Sequence, residues 1–261
     1  MIQNFNYHTH TSRCGHAVGT DEEYVLAAIE AGYKVLGFSD HAPYRDYPSP
    51  RVHMNWEQLD DYIQSVTKLK EKYKDQIEIH LGLETEFYPY ALEEKKELRS
   101  QVEYLILGQH FSEPTGKLCS YFKKNTDAEI EEYADMVVKG LESGMFTYLA
   151  HPDVFMNYQP EFNEACQRAA ERIAEAAVRT NTPVEVNVRG TIRGKQSFPN
   201  GMRYYYPNYD FWKVMANYPV KCVIGIDAHD PEDLIRLSDV ENAFKELEDL
   251  HLDFVKEIHF R

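Results

Sequence analysis

The sequence predicts an α/β protein built on a parallel sheet closed into a barrel. Three observations carry this: short apolar runs alternate with amphipathic helical stretches about seven times, the runs are apolar enough to be buried on both faces, and no repeat, low-complexity tract or composition break interrupts the 261 residues. A length of this order suits one α/β barrel domain, so residues 1–261 are read as a single domain.

The strands are expected, in order, at Asn4–His8, Val35–Ser39, Ile77–Glu84, Tyr104–Gln109, Thr147–Ala150, Val184–Val188 and Cys222–Ile226. Between and after them the spacing predicts helices at Asp21–Ala31, Trp56–Tyr73, Glu93–Gln101, Asp127–Ser143, Pro160–Thr180, Tyr209–Asn217 and Pro231–Leu250. Asp21 is positioned to cap the first helix, and Asp127 opens the fourth with acidic residues in its first turn. Gly32 and Gly144 stand where helices stop. The segment Gly190–Asn208, rich in Gly, Pro, Arg and Tyr, reads as a long loop over one barrel mouth.

Composition narrows the function. The formal net charge of −15 argues against a surface that tracks a nucleic-acid polymer. It does not exclude a small anionic substrate, since a few local cations and metal ions can dominate a pocket. Most of the 43 carboxylates serve solubility. No apolar run approaches the roughly 18 residues of a membrane helix, and the opening MIQNFNYHTH has neither the basic nor the apolar part of a signal peptide. The expectation is a cytoplasmic protein with no membrane partner. Cys14, Cys119, Cys166 and Cys222 are scattered and read as free thiols, with Cys14 a small packing residue inside a His-rich segment.

The histidines carry the chemistry. His8 and His10 end the first expected strand, His41 follows the second, Glu84 ends the third, His110 follows the fourth, His151 the fifth, and Asp227 and His229 the last. His16 lies in the loop after the first. A lone histidine is more often a surface or core residue than a ligand. Here, however, seven of the 11 fall at strand ends or just beyond them, while His53, His80, His251 and His259 do not and are left as structural or exposed. In a closed parallel barrel the carboxyl ends of the strands meet at one mouth. Imidazole and carboxylate together suit Zn, Mn or Fe. In His8-x-His10 strand alternation points both side chains the same way, and a carboxylate such as Glu84 can bridge two ions.

The set His8-x-His10, Asp40-His41, Glu84, His110, His151 and Asp227-x-His229 resembles the polymerase and histidinol phosphatase (PHP) superfamily, over nearly the whole chain. The resemblance implies a distorted seven-stranded (β/α) barrel and three divalent metal ions. It places His8, His10, Glu84 and Asp227 on the first ion, Glu84, His110 and His151 on the second, and His16, His41 and His229 on the third. Asp40 would orient a ligand imidazole. Glu84, Asp227 and His229 would be the catalytic centre, with a hydroxide between the metals as nucleophile.

The opening His8-Thr9-His10-Thr11-Ser12-Arg13-Cys14-Gly15-His16 and the run Asp40-His41-Ala42-Pro43 look like the histidinol-phosphate phosphatase branch. That implies hydrolysis of L-histidinol phosphate to L-histidinol and phosphate, a step of histidine biosynthesis. The chain departs from the branch after the sixth strand. Asn187-Val188-Arg189-Gly190-Thr191-Ile192-Arg193 is one position off the Asn-Thr-x-Gly-x-Arg pattern. Arg193 is favoured for the phosphate, then Arg189, with Arg203 a further candidate. Tyr204, Tyr205 and Tyr206 could wall the pocket. The competing readings are a phosphoesterase of the same superfamily acting on a nucleotide or on protein phosphotyrosine, and a metal-binding domain without activity.

Overall fold

Short apolar runs form parallel strands because only a sheet covered on both faces can bury them. The computed structural model describes residues 3–45, 52–112 and 119–261. Strands β1 (Phe5–Asn6), β2 (Val35–Phe38), β3 (Glu78–Thr85), β4 (Tyr104–Leu107), β5 (Tyr148–Leu149) and β6 (Val184–Asn187) pair in sequence order, and β9 (Lys221–Gly225) pairs with β6. Every pairing is parallel.

The ring closes through its carboxyl ends. Thr9 bridges to Ala228, with His10 N donating to Ala228 O at 2.9 Å and Ala228 N to His8 O at 3.2 Å. Lower down, side-chain amides replace the ladder: Gln3 exchanges hydrogen bonds with Ile224, and Asn6 Oδ1 accepts from Ile226 N. There an eighth strand that the sequence did not predict, β10 (Asp253–Phe254), pairs with β9. This is the distortion of the barrel: the amino end of its last strand is paired with a later segment and not with β1.

Inside the floor of the barrel, the Tyr104 hydroxyl donates to Tyr7 O at 2.8 Å and Phe38 O at 2.9 Å. The ring fits only because Gly37 and Gly82 face it. A Cβ on either would lie 2.3 or 2.4 Å from Tyr104 atoms. Phe260 stacks on the same ring from below at 4.9 Å.

Helices cover the outside. Helix α1 (Asp21–Ala31) is capped by Thr20, one residue before the expected Asp21, in a reciprocal pair with Glu23. Asp21 is instead taken by Arg13, whose Nη1 meets both its oxygens at 2.9 Å. Gly32 ends α1 at φ 86°, and Gly144 follows α4 (Asp127–Glu142) at φ 70°, where the left-handed backbone favours glycine. A 3-10 turn at Trp56–Gln58 leads into α2 (Leu59–Tyr73), and α3 is Leu92–Gln101. Helix α5 starts at Glu164, later than Pro160, because Asn163 accepts from Cys166 N and fixes the start.

Two segments differ in detail from expectation. Gly190–Asn208, expected as a long loop over one barrel mouth, opens within the short helix α6 (Arg189–Ile192) and then folds as the hairpin β7 (Gln196–Phe198) and β8 (Gly201–Arg203), ending at the cap of α7 (Tyr209–Met215). Pro231–Leu250 is not one helix. Arg236, at ψ 63°, breaks it into α8 (Pro231–Ile235) and α9 (Leu237–Leu247), followed by a 3-10 turn. Among the described residues no helix is long and apolar enough to cross a membrane.

Candidate metal centre

The bridge at Thr9 fixes the first ligand pair. Thr9 turns to Asn6 Nδ2, and His8 and His10 on either side of it both face the barrel centre. His8 Nε2 lies 3.5 Å from Glu84 Oε2 and 3.5 Å from Asp227 Oδ1. His10 Nε2 lies 3.5 and 3.0 Å from the same two atoms. All four atoms are buried and make no hydrogen bond with any described residue. A tetrahedral ion with bonds of about 2.0–2.1 Å has ligand–ligand edges of about 3.3 Å. Unpartnered buried polar atoms cost about 1–3 kcal/mol each, so four converging ones describe a site shaped for a cation.

A second group shares Glu84. Its Oε1 is 2.8 Å from His151 Nε2 and 3.3 Å from His110 Nε2, and the two imidazole nitrogens are 3.2 Å apart. A third pair brings residues 213 positions apart together: His16 Nε2 and His229 Nε2 are 2.9 Å from each other. His41 stacks on His16 at 5.3 Å but aims Nδ1 at Glu84 Oε2, 3.1 Å away, so its ring leans to the first group. Buried Cys14 donates to Thr11 O and could share an ion with His16 and His229. These clusters make the barrel mouth a site for divalent metal.

Five imidazoles are anchored through Nδ1, which leaves Nε2 turned inward. His8 is held by Glu185 Oε2 at 2.8 Å, His10 by Asp40 Oδ1 at 3.3 Å and His110 by Glu86 Oε1 at 2.9 Å. His16 is held by the Cys14 carbonyl at 3.1 Å and His229 by the Asp227 carbonyl at 2.9 Å. His10 Nδ1 and Thr11 Oγ1 thus take one oxygen of Asp40 each.

Sequence reasoning missed Glu185, Glu86 and His53. A lone acid inside the apolar strand Val184-Glu185-Val186 was a readable signal, because a buried charge needs a partner. His53 is buried and stacks on His41 at 4.9 Å, with Nε2 3.4 Å from Glu86.

Electrostatics follow from this crowding. Burial opposes charge on His8 and His110, yet Glu185, Asp227 and Glu84 carry His8 up to about 10, and Glu84 and Glu86 carry His110 up to about 10. Burial likewise opposes ionisation of Glu84 and Asp227, but the surrounding imidazoles hold both well below the usual carboxylate range. Burial, then the charge on His10, pushes His41 and His229 down. The centre is therefore a set of carboxylates that demands positive charge.

Above the clusters opens a cavity of about 240 Å³, with Glu84, His151 and Asp227 below and Phe111, Phe122 and Tyr206 among its walls. Of the three candidate arginines, Arg189 and Arg193 line it. Arg189 is tied to Asp233 Oδ2 at 3.0 Å. Arg193 is exposed and makes no ion pair with any described residue. Arg203 is a correction: it stacks on Phe198 and donates to the carbonyls of Met156, Gln159, Tyr204 and Tyr205, and it does not line the cavity. Nearby, buried Asp153 accepts from Asn208 N and Trp212 Nε1, which pins the end of the hairpin segment beside the mouth.

Residues 6–189 match the model of the PHP domain family. The chain is 26% identical to the "Probable histidinol-phosphatase" of Deinococcus radiodurans, over 93% of this chain and 92% of that one. A protein of the same name from Schizosaccharomyces pombe is 25% identical over 86% of this chain and 80% of its own length. In fold it is similar to the histidinol phosphate phosphatase of Lactococcus lactis, solved in complex with zinc, L-histidinol and phosphate. The TM-score is 0.73 at 17% identity, covering 98% of this chain and 99% of that one. The ligand-bearing strand ends and a family match that runs from the first strand through the sixth agree, and the chain belongs to the PHP domain family.

Proposed function

We propose that this chain is a metal-dependent phosphomonoesterase that hydrolyses L-histidinol phosphate to L-histidinol and phosphate. The observation that carries the reading is the convergence of His8, His10, Glu84 and Asp227 on one point, their inward atoms unpartnered, beneath a cavity edged by arginine. The relatives named histidinol-phosphatase, aligned over most of both chains, support the substrate.

In this reading three ions are held: one by His8, His10, Glu84 and Asp227, one by Glu84, His110 and His151, and one by His16, His229 and, after a small turn of its ring, His41. Zn, Mn and Fe all suit such nitrogen and oxygen donors. When bound, such ions withdraw charge from phosphate oxygens and make water a nucleophile at neutral pH. Glu84 and Asp227 set the spacing of the centre, and His229 joins its outer edge. Arg193 is free to meet the phosphate from the rim, while Arg189, already paired with Asp233, helps to shape that rim. Residues 1–261 act as one domain, since Asp227 and His229 follow β9, beyond the stretch that matches the family model.

Turnover of histidinol phosphate, nucleoside monophosphates and a phosphotyrosine peptide by the zinc- or manganese-loaded protein tests this. Histidinol phosphate is expected to give the highest kcat/KM. Comparable turnover of either of the others would overturn the substrate assignment.

A further inference from the structure

Tyr206 is buried, yet it lines the cavity together with Arg189, Arg193, His151 and Asp227. Two contacts fix where it stands. Its backbone lies directly on Gly190, which follows Arg189 in α6: a Cβ there would fall 1.8 Å from Tyr206 O and 2.9 Å from Tyr206 N. Two residues further on, Asn208 N donates to buried Asp153 Oδ2 at 2.6 Å. The tyrosine ring stands 6.4 Å from the ring of His151, measured between centres. Its hydroxyl makes no hydrogen bond with any described residue, and the charges that act on it are, in order, those of Asp227, Arg193, Arg189 and Asp153.

Packing gives the ring a place but gives the hydroxyl none. Phe111 and Phe122 wall the same cavity without a polar side-chain atom. A buried tyrosine ordinarily spends its O–H on a partner, as Tyr62 does on Gly82 O and Tyr133 on Pro152 O, both at 2.8 Å. A phenol left open at a cavity wall is a donor for what enters the cavity. Two guanidinium groups edge the same space, so the occupant they suit is an anion with several acceptor oxygens.

We propose that Tyr206 is a substrate-binding residue: its hydroxyl donates a hydrogen bond to an oxygen of the phosphate group, alongside Arg193. This deepens the phosphomonoesterase reading above and rests on it.

Binding of inorganic phosphate to the zinc-loaded full chain, measured by isothermal titration calorimetry, tests the assignment beside zinc content and melting temperature. Tyr206→Phe is expected to raise the Kd for phosphate about 10- to 100-fold. Zinc content should stay unchanged, and the variant should melt no lower than the unsubstituted protein, since the hydroxyl bonds to no described residue. Wild-type phosphate affinity in Tyr206→Phe overturns the assignment. So does weaker phosphate binding that comes with lost zinc, which would tie the tyrosine to the metal centre and not to the phosphate. If the unsubstituted chain takes up no zinc, or binds no phosphate once loaded, the phosphomonoesterase reading falls, and this assignment with it.

Discussion

Glu185 on β6 and His8 beyond β1 meet at 2.8 Å, both wholly buried, and this contact aims His8 Nε2 at Glu84 and Asp227. The other Glu185 oxygen takes Asn187 Nδ2 at 2.6 Å and His151 N at 3.3 Å. Glu185→Gln keeps the shape and removes the charge. It should weaken metal binding about 10- to 100-fold without unfolding the chain. Metal content after dialysis, with circular dichroism as the folding control, checks this.

Asp227 is shared by both histidines of the first group. Asp227→Ala should lower kcat/KM on the best substrate by at least about 100-fold and release metal. An unchanged rate in a steady-state assay would mean that the centre lies elsewhere.

The arginines should separate by parameter. Arg193→Ala is expected to raise KM about tenfold or more and leave the melting temperature unchanged, because this side chain makes no ion pair or hydrogen bond with any described residue. Arg203→Ala should do the reverse: its four carbonyl partners lose their donor, so stability drops by about 1–3 kcal/mol while KM stays near wild type. Paired kinetics and urea unfolding distinguish the two.

Gly108 leaves room for Glu84. A Cβ there would lie 2.0 Å from Glu84 Oε1, the atom that faces His110 and His151. Gly108→Ala should therefore displace the shared carboxylate and cut metal retention at least about tenfold, although residue 108 offers no ligand atom. Elemental analysis of the purified variant provides the check.

Burial draws the Lys95 ammonium down to about 8, against Glu86 and Glu94, which favour the charge. An unfolded lysine loses its proton near 10.4. Between those values the unfolded chain binds more protons, so stability of the metal-free protein gains from Lys95 as pH rises from about 8 to about 10.4. It is flat in this respect on either side. The difference is at most about 3 kcal/mol. Urea unfolding at pH 7.5 and 10 should show that Lys95→Met loses this rise.

How much of this was legible in the sequence differs by residue. His8, His10, His41, His110, His151 and Asp227 could be found because each ends or follows an apolar run, and a parallel barrel brings such ends to one mouth. The anchoring acids Glu185 and Glu86 carry no spacing signal that pairs them with particular imidazoles; only the fold sets Glu185 against His8, 177 positions away. Arg203 shows the opposite limit. Its neighbours in sequence are polar loop residues, and only the closing of the hairpin against Met156 and Gln159 turns it from the cavity. Strand β10 is two residues long, too short for any alternation to reveal it.

His151 and Asp227 both adopt left-handed backbone, at φ 25° and 55°. Such conformations cost a residue with a side chain about 1–3 kcal/mol. Glycine would relax both corners, so Asp227→Gly should give a sturdier but inert protein. Folding and chemistry pull in opposite directions at these two corners, and a copy of this chain released from its task would gain robustness by letting them go first.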